Sequence, residues 1–543
     1  MAYGRFGLVA ALVLARQWTG AHAQDSSDED ASLPSAPSAE NFLTRHSPQV
    51  SVIGKYVYID GGHITQLVDD EPVLMRPVNH TLSIDLSQSW ATEDVEIRQI
   101  PKSSPSHVLQ AQFTDPNSDT FYIWGGYNLN KTESARERPS DFWKFKADGN
   151  GGGSWTNEVQ RSNVFQGLQR VQAGAHVTTA DSGFYFGGAA TAPSNEDAHS
   201  PVPGYVRFNL TANDLDWRNV TDAPYSETGT LYGGTATWIP TFGPNGLIML
   251  LGGQSGGIGN SGRVEYMRMD IVYFMDPVTG RWSSQSTSAD KTDSFMFGGR
   301  DEERKGLGDI HILSLPGFVW TKVSADATPR GAMGCAVVGN RQMLTVGGVD
   351  LSLKFWDLWR TKDSFSQGLG IFDMSKLSWR DAHDVNAAGY ESPETIQSWY
   401  TQGGLDNVKW ASEEVRSLFA KANDDSSNPG SSSGSDASNE SSSSTPTAAI
   451  AGGVVGGVAA VALAFGLFWF LRRRRRSADD GKEGVGRGDE KKPELPVRDG
   501  TGQNTSSGPA ELATPGQAFE LHGDSAKPEL DNSPAATPVV HEK

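Results

Sequence analysis

The chain has 543 residues, enough for several domains, and it is rich in glycine (61) and tryptophan (15) with a formal charge of −19. This composition favours many short strands and tight turns over long helices. The segment from residue 472 onward is nearly neutral, so the acidity lies before it. An acidic surface repels a phosphate backbone, which excludes nucleic acid as an expected partner.

The first predicted element is a secretory signal peptide at residues 1–23. Arg5 precedes an apolar run at 6–15, and Ala21-His22-Ala23 supplies the small residues of a cleavage site. The run is too short to span a bilayer, which disfavours the alternative, a signal anchor. Residues 24–41 are acidic and rich in serine and proline, and we expect a disordered linker there.

The predicted folded domain, residues 42–420, contains a sixfold internal repeat. In each repeat a short apolar strand runs into two glycines, as in TFYIWGG and LIMLLGG, and a tryptophan follows 22 to 32 residues after the first glycine. The repeat positions are Gly61, Gly62 and Trp90; Gly125, Gly126 and Trp155; Gly187, Gly188 and Trp217; Gly252, Gly253 and Trp282; Gly298, Gly299 and Trp320; Gly347, Gly348 and Trp379.

These residue types suit small antiparallel sheets packed face to face. Glycine lacks a Cβ, adopts positive φ and permits close backbone approach, while an indole fills the wedge between two sheets. The pattern resembles the kelch repeat, and the whole layout is similar to the membrane-anchored kelch-repeat proteins of filamentous fungi. The resemblance implies an all-β, kelch-type β-propeller, a fold that mostly serves as a binding platform. We count six blades; a seventh at Gly403-Gly404 with Trp410 is the alternative.

The fifth repeat departs from the pattern. Only 16 residues separate Trp282 from Gly298, against 27 to 35 in the other repeats, so this blade is expected to lack its first strand. The chain also has a single cysteine, Cys335. Three interpretations remain open: a buried free thiol, an intermolecular disulfide, or loss of a partner cysteine together with the missing strand through splicing or an imperfect gene model.

A membrane anchor is predicted after the repeats. Residues 421–447 form a serine-rich stalk, and residues 448–471 are 24 uncharged, mostly apolar residues, long enough to cross a bilayer. Five arginines follow at 472–476, which places the stalk and the repeats outside the cell or in the lumen. We therefore expect a single-pass type I protein of the plasma membrane or another secretory-pathway membrane, with a disordered cytosolic tail at 472–543.

Several shorter motifs predict modifications or partners. Asparagines in the N-glycosylation pattern and outside the membrane are Asn79, Asn130, Asn209, Asn219 and Asn439. In the tail, the segment from Pro493 through Pro496 to Arg498 fits a ligand for an SH3 domain. Gly452 and Gly456 form a small-residue face in the predicted span that suits homodimerisation.

The candidate binding residues directly follow the glycine pairs, where we expect loops on one face: His63, Tyr127, Gln254 and Arg300. The histidines show no paired metal-ligand spacing, so we predict no metal and no cofactor, and a copper oxidase is disfavoured. No catalytic constellation stands out. The favoured function is a non-enzymatic binding, adhesion or sensor module for a protein or glycan; the alternative is a membrane-tethered extracellular enzyme acting on glycans.

Overall fold

The structure is a computed structural model that describes residues 36–127, 141–192, 195–212, 214–225, 230–255, 265–287, 296–299, 301, 305–325 and 327–420. The predicted signal peptide, stalk, membrane span and tail lie outside these residues, and so do Asn130, Arg300 and Asn439. Within the described part of the chain, no helix is both long and apolar enough to cross a membrane.

Antiparallel strands dominate the described residues, which confirms the predicted all-β class. Six small sheets follow one another along the chain. Sheet 1 contains β2 (Gln49–Ile53), β3 (Tyr56–Asp60), β6 (His80–Asp85) and β8 (Arg98–Pro101); sheet 2 β9 (Val108–Asp115), β10 (Thr120–Tyr127), β11 (Trp143–Ala147) and β12 (Gly153–Asn157); sheet 3 β14 (Ala175–Thr178), β15 (Ser182–Phe186), β18 (Tyr205–Asn209) and β19 (Arg218–Val220); sheet 4 β20 (Thr235–Ile239), β21 (Leu247–Leu251), β22 (Ile271–Met275) and β23 (Trp282–Ser286); sheet 5 β24 (Met296–Phe297), β25 (Ile310–Ser314) and β26 (Val319–Val323); sheet 6 β27 (Gly331–Val338), β28 (Gln342–Val349), β29 (Leu369–Asp373) and β30 (Ser378–Arg380).

Further strands extend these sheets, and helices follow them. The strands are β1 (Phe42–His46), β4 (His63–Val68) and β5 (Glu71–Pro77), which continue sheet 6 through β28; β13 (Val171–Gln172), β16 (Ala189–Ala192) and β17 (Asn195–Pro201), which form a separate sheet; and the pair β7 (Trp90–Ala91) and β31 (Ala382–His383). The helices are α1 (Asn163–Gln166), α2 (Phe355–Arg360), α3 (Glu394–Thr401), α4 (Glu413–Phe419) and the 3₁₀ turns Ser366–Gly368 and Gly404–Asn407. The described residues after β31 thus contain helices and no seventh sheet, and Trp410 packs against Phe419.

Burial within a sheet follows the order of its strands. The second strands β15 and β21 are buried along their full length, because sheets cover both of their faces. The outer strand β12 alternates between half-buried and exposed residues, as a strand with one covered face does. The apolar runs seen in the sequence therefore correspond to the strands that need two covered faces.

The glycine pairs fix how consecutive sheets meet. All twelve glycines have positive φ, between +61° and +98°. In five of the six repeats, a Cβ on the first glycine of the pair would collide with the backbone of the segment that leads into the next sheet, as at Gly347, where it would lie 2.5 Å from Arg45 O. A Cβ on the first glycine of sheets 1, 2, 3 and 5 would likewise collide with a backbone atom. The residues that it would meet are His107, Val171, Leu231 and Arg330, respectively. Each of these five residues lies two positions before a left-handed residue at the head of a first strand.

Those left-handed residues link neighbouring sheets through their peptide groups. They are Ser47, Leu109, Ala173, Gly233 and Ala332, with φ between +53° and +68°. Ser47 N donates to Ala332 O at 2.7 Å, Ala173 N to Leu109 O at 3.1 Å and Gly233 N to Ala173 O at 2.7 Å. One backbone register is thus repeated from sheet to sheet, and it also joins sheet 6 to sheet 1.

Separate hydrophobic cores fill the spaces between consecutive sheets. Phe113 of sheet 2 packs in a T-shape on Phe208 of sheet 3, with ring centroids 4.8 Å apart. Val57 of sheet 1 and Leu344 of sheet 6 belong to one core, so the last sheet packs on the first. The other four consecutive pairs of sheets share a core in the same way.

Five of the six repeat tryptophans contact the sheet that precedes their own. The contacts are Trp155 Nε1 to Thr81 Oγ1 at 3.0 Å, Trp320 Nε1 to Met269 O at 3.1 Å, and ring pairs Trp217–Phe142 at 5.2 Å, Trp282–Phe186 at 6.0 Å and Trp379–Phe297 at 4.8 Å. Trp90 differs, because it lies in β7 and packs at a tilt against His383, while β8 supplies the fourth strand of sheet 1. The spacing alone did not reveal this exception.

Sheet 5 has three strands among the described residues, and residues 288–295 lie outside them. β24 therefore heads this sheet in the described part of the chain, where the other sheets have a further strand. Cys335 lies in β27, the first strand of the neighbouring sheet, as a free and exposed thiol. The expectation of a buried thiol is thus wrong for its side chain, since the alternating β27 directs Cys335 and Val337 away from the core.

The Cys335 thiol is expected to react slowly. The thiol is exposed, but nearby protein atoms still raise the pKa of Cys335 above its ordinary value by partial desolvation. Because the thiolate is the nucleophile, alkylation of the folded chain at pH 7 should be slower than that of the denatured chain and should accelerate as the pH rises. Mass spectrometry after iodoacetamide treatment measures this rate at the single cysteine, with the denatured chain as control. Equal rates in the folded and denatured chain would contradict the prediction.

Candidate functional site

The residues that follow the glycine pairs emerge at one end of the sheets. Each pair ends the second strand of its sheet, except in sheet 5, where it follows β24, and the shared register described above places these ends side by side. We call this end the glycine-pair face and define it by the six pairs, the segments that follow them and α2. It is the face on which the sequence placed the candidate binding residues.

The structure brings two of the four predicted residues together. His63 and Tyr127 form an edge-on ring pair with centroids 6.5 Å apart. Gln254 forms backbone bridges with Tyr232 and Tyr266, and Arg300 lies outside the described residues. The expectation of plain loops is wrong for His63, which begins β4 and is 3% exposed, and Tyr127 is the last residue of β10. The longer segment after Gly188 likewise forms the hairpin of β16 and β17.

An aromatic cluster surrounds His63. His46 lies directly opposite it across β1 and β4, and the Trp359 ring lies 5.6 Å from His46 and 6.5 Å from His63. Burial lowers the pKa of His46 to about 4 and, together with the charge on His46, that of His63 to about 3. Both imidazoles are therefore neutral near pH 7. On the same helix Trp356 is 44% exposed, with the Arg360 guanidinium 5.7 Å from its ring centre.

A buried network of charges involves Arg45, the residue before His46 in β1. Lys102 Nζ donates to Asp60 Oδ2 at 2.6 Å, and both side chains are fully buried. Gln110 Nε2 donates to the same oxygen at 2.9 Å, and Thr81 Oγ1 donates to Asp60 Oδ1 at 2.8 Å. The buried Arg45 donates to Gly61 O at 2.8 Å. Two cations thus share one carboxylate, and burial lowers the pKa of both Lys102 and Arg45 although Asp60 opposes the shift.

One recess on the face is a small, open cleft with a volume of about 30 Å³. Sheet 2 and the segment that leads into sheet 3 form its walls. The lining residues are Pro105, His107, Ile123, Trp124, Gly125, Asp141, Trp143, Leu168, Gln169 and Arg170. This volume has room for roughly one or two water molecules and is well below the range of about 300–1,000 Å³ that is typical of small-molecule sites, so the cleft is a shallow surface feature and not an enclosed pocket.

His107 and Arg170 provide the polar wall of the cleft. Arg170 Nε donates to Gly126 O at 2.9 Å, and an Nη2 proton points to His107 Nε2 at 2.5 Å. Burial is the largest cause that lowers the pKa of His107, and the charges of Arg170 and Lys102 lower it further, so the ring accepts from the guanidinium. Burial also lowers the pKa of Arg170 to about 10, which leaves it charged at neutral pH. The polar wall is therefore cationic.

The third wall group is Asp141, whose Oδ1 accepts a hydrogen bond from Asn157 Nδ2 at 2.9 Å. It adds a carboxylate to the polar wall formed by His107 and Arg170. Among the described residues, no group of three or more His, Cys, Asp or Glu side chains could hold a metal ion.

Three of the predicted glycosylation sites lie among the described residues. Asn219 is exposed in the outer strand β19. Asn209 is half-buried and its Oδ1 accepts from the Thr211 hydroxyl at 2.7 Å, whereas Asn79 accepts from Ser106 Oγ at 3.1 Å. Glycosylation of all five asparagines stays a prediction.

Sequence reasoning missed His46, His107 and Arg170. A usable signal exists, because an arginine stands sixteen or seventeen residues before a glycine pair in three repeats: Arg45 before Gly61, Arg170 before Gly187 and Arg330 before Gly347. Arg45 and Arg330 donate to the first glycine of their own sheet, and Arg170 donates to a glycine of the preceding sheet. The spacing reveals the position, and only the packing distinguishes a structural arginine from one that lines a cleft.

The fold and the site together define an all-β protein with a recessed polar and aromatic cleft on one face. No family model matches the chain. It is similar to two proteins of Arabidopsis thaliana: acyl-CoA-binding domain-containing protein 4, at 31% identity over 147 residues (26% of this chain and 20% of that protein), and acyl-CoA-binding domain-containing protein 5, at 31% over 128 residues (22% and 18%). The chain spans about a fifth of the length of these relatives, so the similarity assigns neither a family nor a ligand.

Proposed function

We propose that the six sheets are the blades of a kelch-type β-propeller, exposed on a single-pass membrane glycoprotein, and that the protein is a non-enzymatic binding module for a protein or glycan. The cytosolic SH3-type contact at 493–498 and homodimerisation through Gly452 and Gly456 remain predictions, since those residues lie outside the described ones.

Two observations support the propeller. Consecutive sheets share hydrophobic cores, including sheet 6 with sheet 1. Five of the six first glycines approach the segment that leads into the next sheet at one register, which continues from Gly347 back to Arg45. When the last sheet packs on the first, the sheets form a closed ring. No sheet face is then left exposed at either end, which is the advantage of a propeller.

A single observation supports the binding function: the cleft at the glycine-pair face draws its walls from sheet 2 and the segment leading into sheet 3, and it combines indoles with charged groups. Loops and strand ends on a rigid scaffold commonly carry binding residues. The exposed Trp356 extends the same face with a flat apolar surface beside a cation.

Binding measured with the purified full chain tests this function. Panels of glycans and cell-surface proteins are screened with the chain, with Trp356→Ala and with Val278→Ala, whose side chain is also exposed and lies in the turn between β22 and β23, at the other end of sheet 4. We expect saturable binding that Trp356→Ala weakens roughly tenfold, as for an interface residue worth over 1 kcal/mol, with Val278→Ala unchanged. Turnover of a bound glycan would instead establish the enzymatic alternative.

A further inference from the structure

We propose that sheet 5 binds an extended segment of a partner protein, which adds a strand at the edge of β24. The site lies between β20 of sheet 4 and β27 of sheet 6. We call it the strand slot and define it by Thr235, Thr237, Cys335, Val337 and the edge of β24. It uses none of the residues of the glycine-pair face, and it therefore goes beyond the binding function proposed above.

The chain between β23 and β24 is too short to supply a first strand for sheet 5. The other connections from the outer strand of one sheet to the second strand of the next are residues 102–119, 158–181, 221–246 and 324–341, each with 18 residues or more. They contain the first strands β9, β14, β20 and β27. Only the nine residues 287–295 join β23 to β24. A strand of about 5–6 residues also needs a crossing from the outer edge and a hairpin turn, and nine residues do not suffice for all three.

The first strand of sheet 4 is exposed on the face that it turns towards sheet 5. Ala236 and Trp238 pack in the core between sheets 3 and 4, so these side chains face sheet 3. Successive side chains of a strand point to opposite faces, and Thr235 and Thr237 therefore face sheet 5. Both threonines are exposed. They form one wall of the strand slot.

The first strand of sheet 6 forms the opposite wall. Gly334 of β27 faces sheet 1, because an added Cβ would lie 2.5 Å from Val50 Cγ2. Cys335 and Val337 alternate with it and face sheet 5, and both are exposed, Val337 by 57%. Nearby protein atoms nevertheless raise the pKa of the Cys335 thiol, as expected for a side chain on the wall of a recess and not on a convex surface.

The other first strands cover one another. β2 contacts β9, β9 contacts β14, β14 contacts β20, and β27 contacts β2. Within the described ranges, β24 pairs with β25 on one side and with no strand on the other. The unpaired backbone of a strand edge is a template for another chain, and extended peptides bind proteins by adding a strand to such an edge.

The walls of the strand slot define the chemistry of its occupant. Thr235, Thr237, Cys335 and Val337 are small and uncharged, so a charged side chain between them would lose water without gaining a partner. A glycan lacks the regular amide groups that pair with a strand edge. The first strands of this chain are already paired within their own sheets, which disfavours a second copy as the donor. The occupant is therefore an extended, uncharged segment of a different protein.

Protection of Cys335 by peptides tests the inference on the purified full chain. The probes are synthetic peptides with the sequences of β2, β14 and β20, which contain no Asp, Glu, Lys or Arg. Mass spectrometry follows alkylation of Cys335 at saturating peptide. We expect at least one peptide to slow alkylation roughly tenfold, because a bound strand covers the thiol, and to raise the midpoint of thermal unfolding. The same peptide with N-methyl groups on the amides that pair with β24 should give no protection.

Two results of this experiment would overturn the inference. The first is a failure of all three peptides to protect Cys335, or equal protection by the N-methylated peptide, since strand pairing would then not occur. The second is alkylation of Cys335 in the chain alone that is already as slow as with peptide. The slot would then be filled by a second copy, if the chain is a dimer by light scattering, or by the chain's own residues, if it is a monomer.

Variants locate the binding. Val337→Asp places a charge on the wall of the slot and should weaken binding of the labelled peptide roughly tenfold, measured by fluorescence anisotropy. Val278→Asp makes the same change at the equally exposed turn between β22 and β23 and should leave the affinity unchanged. Thermal melts check that both variants are folded. Unchanged affinity in a folded Val337→Asp chain would refute the inference. Binding that depends on Trp356 should be the same in this variant, so the two proposals fail separately.

Discussion

Gly347→Ala is expected to lower the free energy of unfolding by roughly 2–5 kcal/mol, the sum of a left-handed backbone penalty and of overpacking. Gly347 has φ +64°, and an added Cβ would lie 2.5 Å from Arg45 O and 2.9 Å from Arg45 Cβ. The obstacle is mainly backbone, which cannot rotate away as a flexible side chain could. The substitution therefore forces β28 of sheet 6 away from β1, the strand that leads into sheet 1.

Two control variants separate these causes. Gly54→Ala introduces the same left-handed strain at φ +60° with nothing within 4 Å, and it should cost about 1–2 kcal/mol. Gly389→Ala has neither strain nor a neighbour and should be close to neutral. Chemical denaturation of the three variants measures the differences. If Gly347→Ala cost no more than Gly54→Ala, close packing of the glycine pairs would not be what holds sheets 6 and 1 together.

Asp60→Asn is expected to destabilise the chain by about 3–5 kcal/mol, because removing one member of a buried ion pair leaves its partner uncompensated. Here the loss leaves Lys102 and Arg45 buried without the carboxylate that offsets their desolvation. The exposed pair Arg218–Asp216 supplies the control, since its atoms are 3.2 Å apart in solvent. Asp216→Asn should change the free energy of unfolding by less than about 1 kcal/mol.

The loss of stability caused by Asp60→Asn should become smaller as the pH rises. Burial already lowers the pKa of Lys102 in the folded chain, and removal of Asp60 lowers it further. Between this pKa and the higher value of the unfolded chain, the unfolded state binds more protons, so stability rises with pH. The variant should therefore regain stability as the pH rises toward 10, more than the wild type does. Adding Lys102→Met should remove this pH dependence, and its persistence would show that another group is responsible.

The repeat was readable from the sequence because its parts have local physical causes. A second strand covered on both faces must be apolar throughout, as LIMLL in β21 is, and a pair of residues with positive φ must be glycine when backbone approaches it. These causes also fixed the position of Trp155 and of the other indoles that fill wedges between sheets. Trp90 escaped the pattern because an indole at the same spacing can pair elsewhere, here with β31.

By itself, the sequence determined the all-β class, the six repeats, their glycine pairs and the shortened fifth repeat, since each depends on residues close together in the chain. Only the tertiary structure decided which side chains meet. His63 faces Tyr127 and His46 through pairing between distant strands, and His107 reaches Arg170 across 63 residues. Such contacts depend on the packing angle and register of separate sheets, which no local pattern encodes, and the cleft exists only because of them.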